Sequence, residues 1–334
     1  MKKFFFFVFL LLCFFNISII NCFGIVQDWQ KTFGGAWDDS GFSVKQTVDG
    51  GYVVAGSTSS FNAVNVDFYL VRCDQSGNIL WNKTYGGLRS DQCSDVIQTS
   101  DSGFVLVGST SSYGLAGDVF LVKTDSSGTK QFNKTYGGNN IDSGRSVQQT
   151  SDGGFIIVGH TWSFGALASD VYLVKTNMDG EWVWQEKYGG TSSDYGVSVQ
   201  QTNDGGYIVA GTAGSFTEPK YYLIKTDGSG KLQWSKISEG YGGETCYSVR
   251  QTSDGGYILA GETTAGAAGS SDVYIVKTDK SGITQWSKMY GGKQGDGAYS
   301  IQQTSDGGYI ISGYTMSYGS GSSDVYLILC SLHR

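Results

Sequence analysis

Apolar residues along this chain come in short runs of two kinds. Val197-Ser-Val-Gln-Gln-Thr202 alternates and has a polar second half, whereas Gly206-Tyr-Ile-Val-Ala-Gly211 is apolar at successive positions, the pattern of a strand buried on both faces. Asn203-Asp204-Gly205 between them is a tight turn. A third run, Tyr221-Tyr-Leu-Ile-Lys225, follows a loop of variable length. A second hairpin turn, Thr226-Asp-Gly-Ser-Gly230, leads to a fourth strand that opens at Trp234 and ends at Tyr241-Gly242-Gly243. Short strands joined by glycine-rich turns predict an antiparallel meander. Nothing beyond the N-terminus shows helical periodicity.

The unit recurs six times. Its turn aspartates are Asp49, Asp101, Asp152, Asp204, Asp254 and Asp306, spaced by 52, 51, 52, 50 and 52 residues. A period near 50 predicts a solenoid or a propeller, and the chain ends decide between them. The sixth repeat stops after Asp324-Val-Tyr-Leu-Ile-Leu-Cys330 without a fourth strand, while Asp28-Trp29-Gln30-Lys31-Thr32-Phe33-Gly34-Gly35 is a fourth strand with nothing before it. The sequence therefore predicts an all-β, six-bladed β-propeller of four-stranded antiparallel blades, closed by the N-terminal strand completing the last blade. A solenoid would need polar caps at both ends, and none is visible.

The N-terminus carries a different signal. Lys2 and Lys3 precede an apolar run from Phe4 to Phe15, and Cys22-Phe23-Gly24 puts small residues at a cleavage site. Residues 1–24 read as a secretory signal peptide, leaving 25–334 as one propeller domain that is secreted. An uncleaved anchor at the cell surface is the alternative, and no other segment could span a membrane. A formal charge of −7 with five arginines excludes nucleic acid as a partner. Cys93 and Cys246 stand where other repeats carry Gly or Ala, and Cys73 and Cys330 where others carry Thr, so all four read as buried thiols. In a eukaryotic host the sequons at Asn82 and Asn133, on the outermost strands, would carry glycans.

With the blade laid out, the chain resembles secreted β-propeller repeat proteins of bacteria, archaea and some protists, on Tyr136-Gly-Gly138, Ser146-Val-Gln-Gln-Thr-Ser-Asp-Gly-Gly154 and Asp170-Val-Tyr-Leu-Val-Lys-Thr176. The resemblance covers essentially the whole chain after the signal and implies fold and surface location, not activity. Asp74-x-x-Gly77-x-x-x-Trp81 is partly similar to the motif that packs an indole between blades in quinoprotein-like propellers, but is one residue shorter between Asp and Gly. Kelch-like propellers share the period, yet place their glycine pair after a strand where this chain places it before one.

Loops between second and third strands emerge on the same face as the links between blades, so all length variation is on one side. That side carries a carboxylate in every blade, Asp39, Asp91, Asp142, Asp194, Glu244 and Asp296. The set reads either as a cation site at the channel mouth, for which calcium would suit, or as turn-capping carboxylates; presence in all blades favours capping. Asp67, Asp118, Asp170, Asp272 and Asp324, replaced by Lys220 in blade four, invite the same reading. Trp37 and Trp162 have no counterpart in other blades and are ligand-binding candidates, with Phe61, Tyr113, Phe164, Phe216 and Tyr318 recurring nearby. Aromatic rings beside carboxylates suit sugars; the recurring five could equally fold back over their blades.

Catalytic signatures are mostly missing from the sequence. His160 reads as a strand-end polar residue, and Arg72, Arg89, Arg145 and Arg250 share no register that would converge on the channel. No cofactor is indicated. The leading expectation is a monomeric binding module for a glycan or an extracellular protein. The alternatives are a glycoside hydrolase using acids at the channel mouth and a purely structural surface repeat.

Overall fold

Each repeat folds because its first turn closes on its own side chains. In blade three, Asp152 accepts hydrogen bonds from Thr150 Oγ1 and from Gly154 N (3.0 Å). Its other oxygen faces Lys175 Nζ at 2.8 Å. Gly153, at the tip, has φ +83°, the left-handed region that glycine enters without steric cost. Blade two makes the same turn with Ser102 at φ +65°, so the hydrogen bonds and not the glycine alone hold this shape.

The chain is described here by a computed structural model covering residues 29–165, 167–214, 218–239, 242–266 and 270–331. The expected signal peptide, Asp28, Phe216 and Tyr241 lie outside the described residues. Thr32–Arg334 forms one compact unit. No described residue is helical, and no described helix is long and apolar enough to cross a membrane.

Six antiparallel sheets follow one another in chain order. Blade three comprises Asp142–Gln149, Phe155–Thr161, Asp170–Thr176 and Trp182–Tyr188. Its two central strands are buried at every position, as apolar runs without alternation require, and its outer strand is mostly exposed. Fourth strands open earlier than expected and stop sooner: in blade four the strand is Leu232–Ile237. The inner strands of consecutive blades adjoin one another around the axis.

Neighbouring blades interlock through the outer strand. A Cβ on Gly128 would come within 2.8 Å of the Trp81 ring of the preceding blade, and Gly230 and Gly282 face Trp184 and Trp234 in the same way. Tyr85 Oη donates to the Gly128 carbonyl at 2.7 Å. The turn of one blade also donates to a glutamine of the next, as Ser151 N does to Gln201 Oε1 at 2.8 Å. Cys73, Cys93, Cys246 and Cys330 are all free and buried. Asn82 and Asn133 lie half-buried on outer strands.

Closure differs from expectation. The last sheet has three strands, Asp296–Gln303, Tyr309–Thr315 and Asp324–Cys330, and residues 29–38 form no strand. The reason lies in the end faces. Val44 of blade one is 59 % exposed although its equivalents Val96, Val199 and Ile301 are buried, and Val325 and Leu327 of blade six are 85 % and 66 % exposed. Addition of the N-terminal strand requires the end blades to meet, and in this structure their facing sides are uncovered.

The Gly-Gly turns between blades are explained by paired carboxylates. A Cβ on Gly86 would lie under 3.0 Å from oxygens of both Asp67 and Asp91, and Gly137, Gly189 and Gly291 face the equivalent pairs. Burial, then the charge of Asp91, raise the Asp67 carboxyl to about 6. Blade four puts Lys220 in place of that aspartate, and its Nζ donates to the Gly242 carbonyl at 2.6 Å. The turn aspartates move the other way. Burial would raise Asp101, Asp152, Asp204 and Asp254, but lysine and threonine hydrogen bonds hold each at about 2.

These shifts predict opposing pH-dependent contributions to stability. Asp67 binds its proton more tightly when folded, so its contribution grows as pH falls from about 6 towards the ordinary 3.8. The four turn aspartates contribute above 3.8 and lose that contribution as pH falls towards about 2. His160, lowered to about 4 from 6.5, opposes Asp67 between those values because the unfolded state takes its proton first. Melting temperatures of wild type and Asp67→Asn from pH 2 to 8 separate them. Wild type should gain relative to the variant between pH 6 and 4, and both should fall steeply below 3.8. A constant difference across that range would refute the assignment.

Candidate functional site

One irregularity, repeated in each inner strand, aims side chains at the axis. In blade three Val158 pairs with Ser146 and Gly159 with Gly144, leaving Arg145 as the extra residue of a β-bulge. The bulge residues of the six blades are Phe42, Ser94, Arg145, Val197, Tyr247 and Tyr299. A repeat that is nearly constant on both sides thus presents a different side chain from each blade.

Four of these residues, Phe42, Ser94, Arg145 and Val197, line a cavity of about 670 Å³ on the face that carries the variable loops. Phe42, Ser94, Arg145 and His160 form its walls, with Asp38 and Asp142 at its margins. The imidazole of His160 is pushed down to about 4 by burial and then by the charge of Arg145, so it is neutral at physiological pH. Its ring meets Tyr195 edge-on, 5.0 Å between centroids, and its Nδ1 is buried without a hydrogen-bond partner.

Two further depressions adjoin this cavity. One of about 480 Å³ contains Trp37 and shares Asp38 and Ser59 with it. The other, about 470 Å³, contains Tyr195 and Tyr247 and shares Arg145 and Val197. Together they form one groove running from blade one to blade five. Beyond its far end, Tyr247 and Tyr314 donate to the two oxygens of Glu262 at 3.2 and 2.9 Å.

The residues singled out from sequence divide between groove and scaffold. Trp37 is 74 % exposed, its backbone N–H held by Ser60 Oγ at 3.0 Å. Trp162 flanks the main cavity, its N–H donating to the carbonyl of the lining residue Ile141 at 2.9 Å. The recurring aromatics lie back on their own blades. Phe61 stacks on Tyr69 and Tyr113 on Phe120, both at 5.2 Å; Phe164 and Tyr318 lean on Tyr172 and Tyr326. Tyr113 and Tyr318 also donate to the carbonyls of Gly86 and Gly291.

The acidic set is engaged in turns. Asp39, Asp91, Asp142, Asp194 and Asp296 accept the N–H of Gly35, Gly87, Gly138, Gly190 and Gly292 at 2.7–3.0 Å. In blade five Glu244 is buried, and its backbone N–H donates to the Pro219 carbonyl at 2.6 Å, as that of Asp91 does to Val66. Among the described residues no three His, Cys, Asp or Glu side chains are placed to hold a metal ion.

From sequence, Arg145 was expected not to converge on the channel and His160 to be a strand-end polar residue; both line the main cavity instead. The available signal was the third residue after each turn carboxylate, which varies from Phe to Ser to Arg to Tyr inside constant flanks.

No protein-family model matches the chain, nor does any curated protein sequence. Among solved structures it is similar to the α-L-arabinanase of Penicillium chrysogenum complexed with arabinobiose, at 13 % identity and TM-score 0.55 over 86 % of this chain and 92 % of that one. It is also similar to a puromycin hydrolase, at 13 % identity and TM-score 0.52 over 88 % and 44 % of the two chains. The endo-arabinase of Bacteroides thetaiotaomicron VPI-5482 aligns over 91 % and 98 % at 11 % identity and TM-score 0.43. Likeness at this level is likeness of fold.

Proposed function

We propose that this is a secreted or cell-surface propeller of the bacterial and archaeal repeat type it resembles, acting as a binding module for an extended glycan. The observation that carries the reading is the continuity of the groove: three depressions joined by shared residues offer Trp37 for stacking, Asp38 and a row of serines for hydroxyls, and Tyr195 and Tyr247 beyond. An exposed indole next to a carboxylate complements a sugar ring, apolar on its face and polar at its rim.

A second reading, glycoside hydrolase, draws on the arabinanase likeness and on Asp38 and Asp142 at the main cavity. It requires two carboxylates free to act on one bond. Asp142, however, already accepts bonds from Gly138 N and Ser163 Oγ at 2.8 and 2.9 Å and has no exposed surface, which favours binding over turnover.

Glycan-array binding, followed by calorimetry on the best ligand and a reducing-end assay, separates these readings. Trp37→Ala should weaken binding about tenfold or more, the worth of one stacking contact, with an unchanged melting temperature. Trp162→Ala should have a smaller effect. Bond cleavage by wild type would favour the hydrolase, and absence of binding to any glycan would leave a structural repeat.

A further inference from the structure

We infer that the glycan taken by this groove bears carboxylates, and that Arg145 receives one of them; this rests on the binding-module reading above. Among the described residues, Arg145 is the only cationic one lining either the main cavity or the depression beyond it, and it lines both. Its guanidinium makes no hydrogen bond or ion pair with any described residue and is exposed. Five cations at the opposite hairpin turns are committed: Arg72, Lys123, Lys175, Lys225 and Lys277 are buried against turn aspartates. A planar fork of N–H donors left open in a recess matches a carboxylate in two parallel hydrogen bonds.

The surroundings specify what else the ligand carries. Neutral His160 adds no charge beside Arg145, so the site offers a single positive group. Ser94 and Ser143 lie in the same cavity wall, and Asp38 lies towards Trp37. Hydroxyl-bearing rings fit these positions. A chain of formal charge −7 disfavours polymers with several charges per ring, so the fit is to a uronic-acid sugar, with one carboxylate per ring, and not to a highly sulfated polymer. A neutral glycan would leave the guanidinium without a partner in the recess.

The test compares each acid glycan with its own methyl ester, which keeps the backbone and removes the charge. Oligogalacturonate and oligomannuronate are the probes, with neutral oligogalactan and oligoarabinan as controls, measured by calorimetry on the full mature chain. Wild type should bind at least one acid form about tenfold or more tightly than its ester, the scale of a charge-assisted bidentate pair. Arg145→Gln should erase that difference, Arg145→Lys should keep part of it, and Trp37→Ala should weaken acid and ester equally. Equal wild-type affinity for acid and ester, or binding of the neutral glycans alone, overturns the carboxylate inference and leaves the binding module standing. Failure of every glycan to bind overturns both. Because the acid–ester comparison uses the wild-type chain, it decides the matter even if a variant folds poorly.

Discussion

Leu173→Ala is expected to cost about 2–5 kcal/mol of unfolding free energy, and Leu327→Ala, at the same place in the repeat, less than about 0.5 kcal/mol. Both are the fourth residue of a third strand, Asp170–Thr176 and Asp324–Cys330. Leu173 is fully buried between blades, so truncation opens a cavity as well as losing transfer free energy. Leu327 has no blade over it and is 66 % exposed. Urea unfolding of the two variants measures the contrast directly. A Leu327→Ala cost equal to that of Leu173→Ala would mean that blades one and six meet in solution, with residues 29–35 in the fourth-strand place their sequence fits. Small cost at Leu327 with large cost at Leu173 confirms an open seam, and the exposed edge then becomes a template for association between copies.

This contrast marks where the sequence stops being informative about the fold. Blade count, strand order and turn type were legible because they are local and occur six times: each turn is built on its own Thr and Asp, in five blades with a Lys or Arg beside them, and each spacing is fixed by one hairpin. Closure is not local. Trp29-Gln-Lys-Thr-Phe33 reads like Trp81-Asn-Lys-Thr-Tyr85, but whether it adds to the last sheet depends on two blade faces nearly a whole chain apart. Leu329, where other blades carry the turn lysine or arginine, shows that the sixth blade already departs from its siblings at the seam.

The candidate site was legible in the opposite way. Residues outside the repeat, such as Trp37, drew notice because no fold requirement explains them, and the structure sets Trp37 at one end of the groove. Arg145 was hidden because convergence of bulge residues from separate blades is a property of how the blades are arranged around the axis, which no single repeat displays. The recurring aromatics were ambiguous for a physical reason: a ring beside a loop can face solvent or its own strand, and only the distance of Phe61 from Tyr69, or Tyr113 from Phe120, decides it.

The glycine of each second strand supports the other large effect. Gly159→Ala should destabilise by roughly 3 kcal/mol, the upper end of overpacking in a core that cannot yield, whereas Gly190→Ala should change stability by less than about 0.5 kcal/mol. Gly159 lies opposite the bulge that projects Arg145, and a Cβ there would come under 3.0 Å from the backbone carbonyl of Ser143. Backbone cannot swing aside as a side chain can, so the inner strand must shift, carrying Ser143 and Arg145 with it. A Cβ on Gly190 meets nothing within 4 Å. Gly56, Gly108, Gly211, Gly261 and Gly313 face the equivalent carbonyl in their own blades, which places the requirement in the bulge and not in one blade's packing. Thermal and urea unfolding of the two alanine variants, with glycan affinity measured on each, tests the link between bulge and groove. Gly159→Ala should lose affinity as well as stability, because it displaces Arg145. A destabilised variant with undiminished affinity would show that Arg145 does not depend on the bulge for its position.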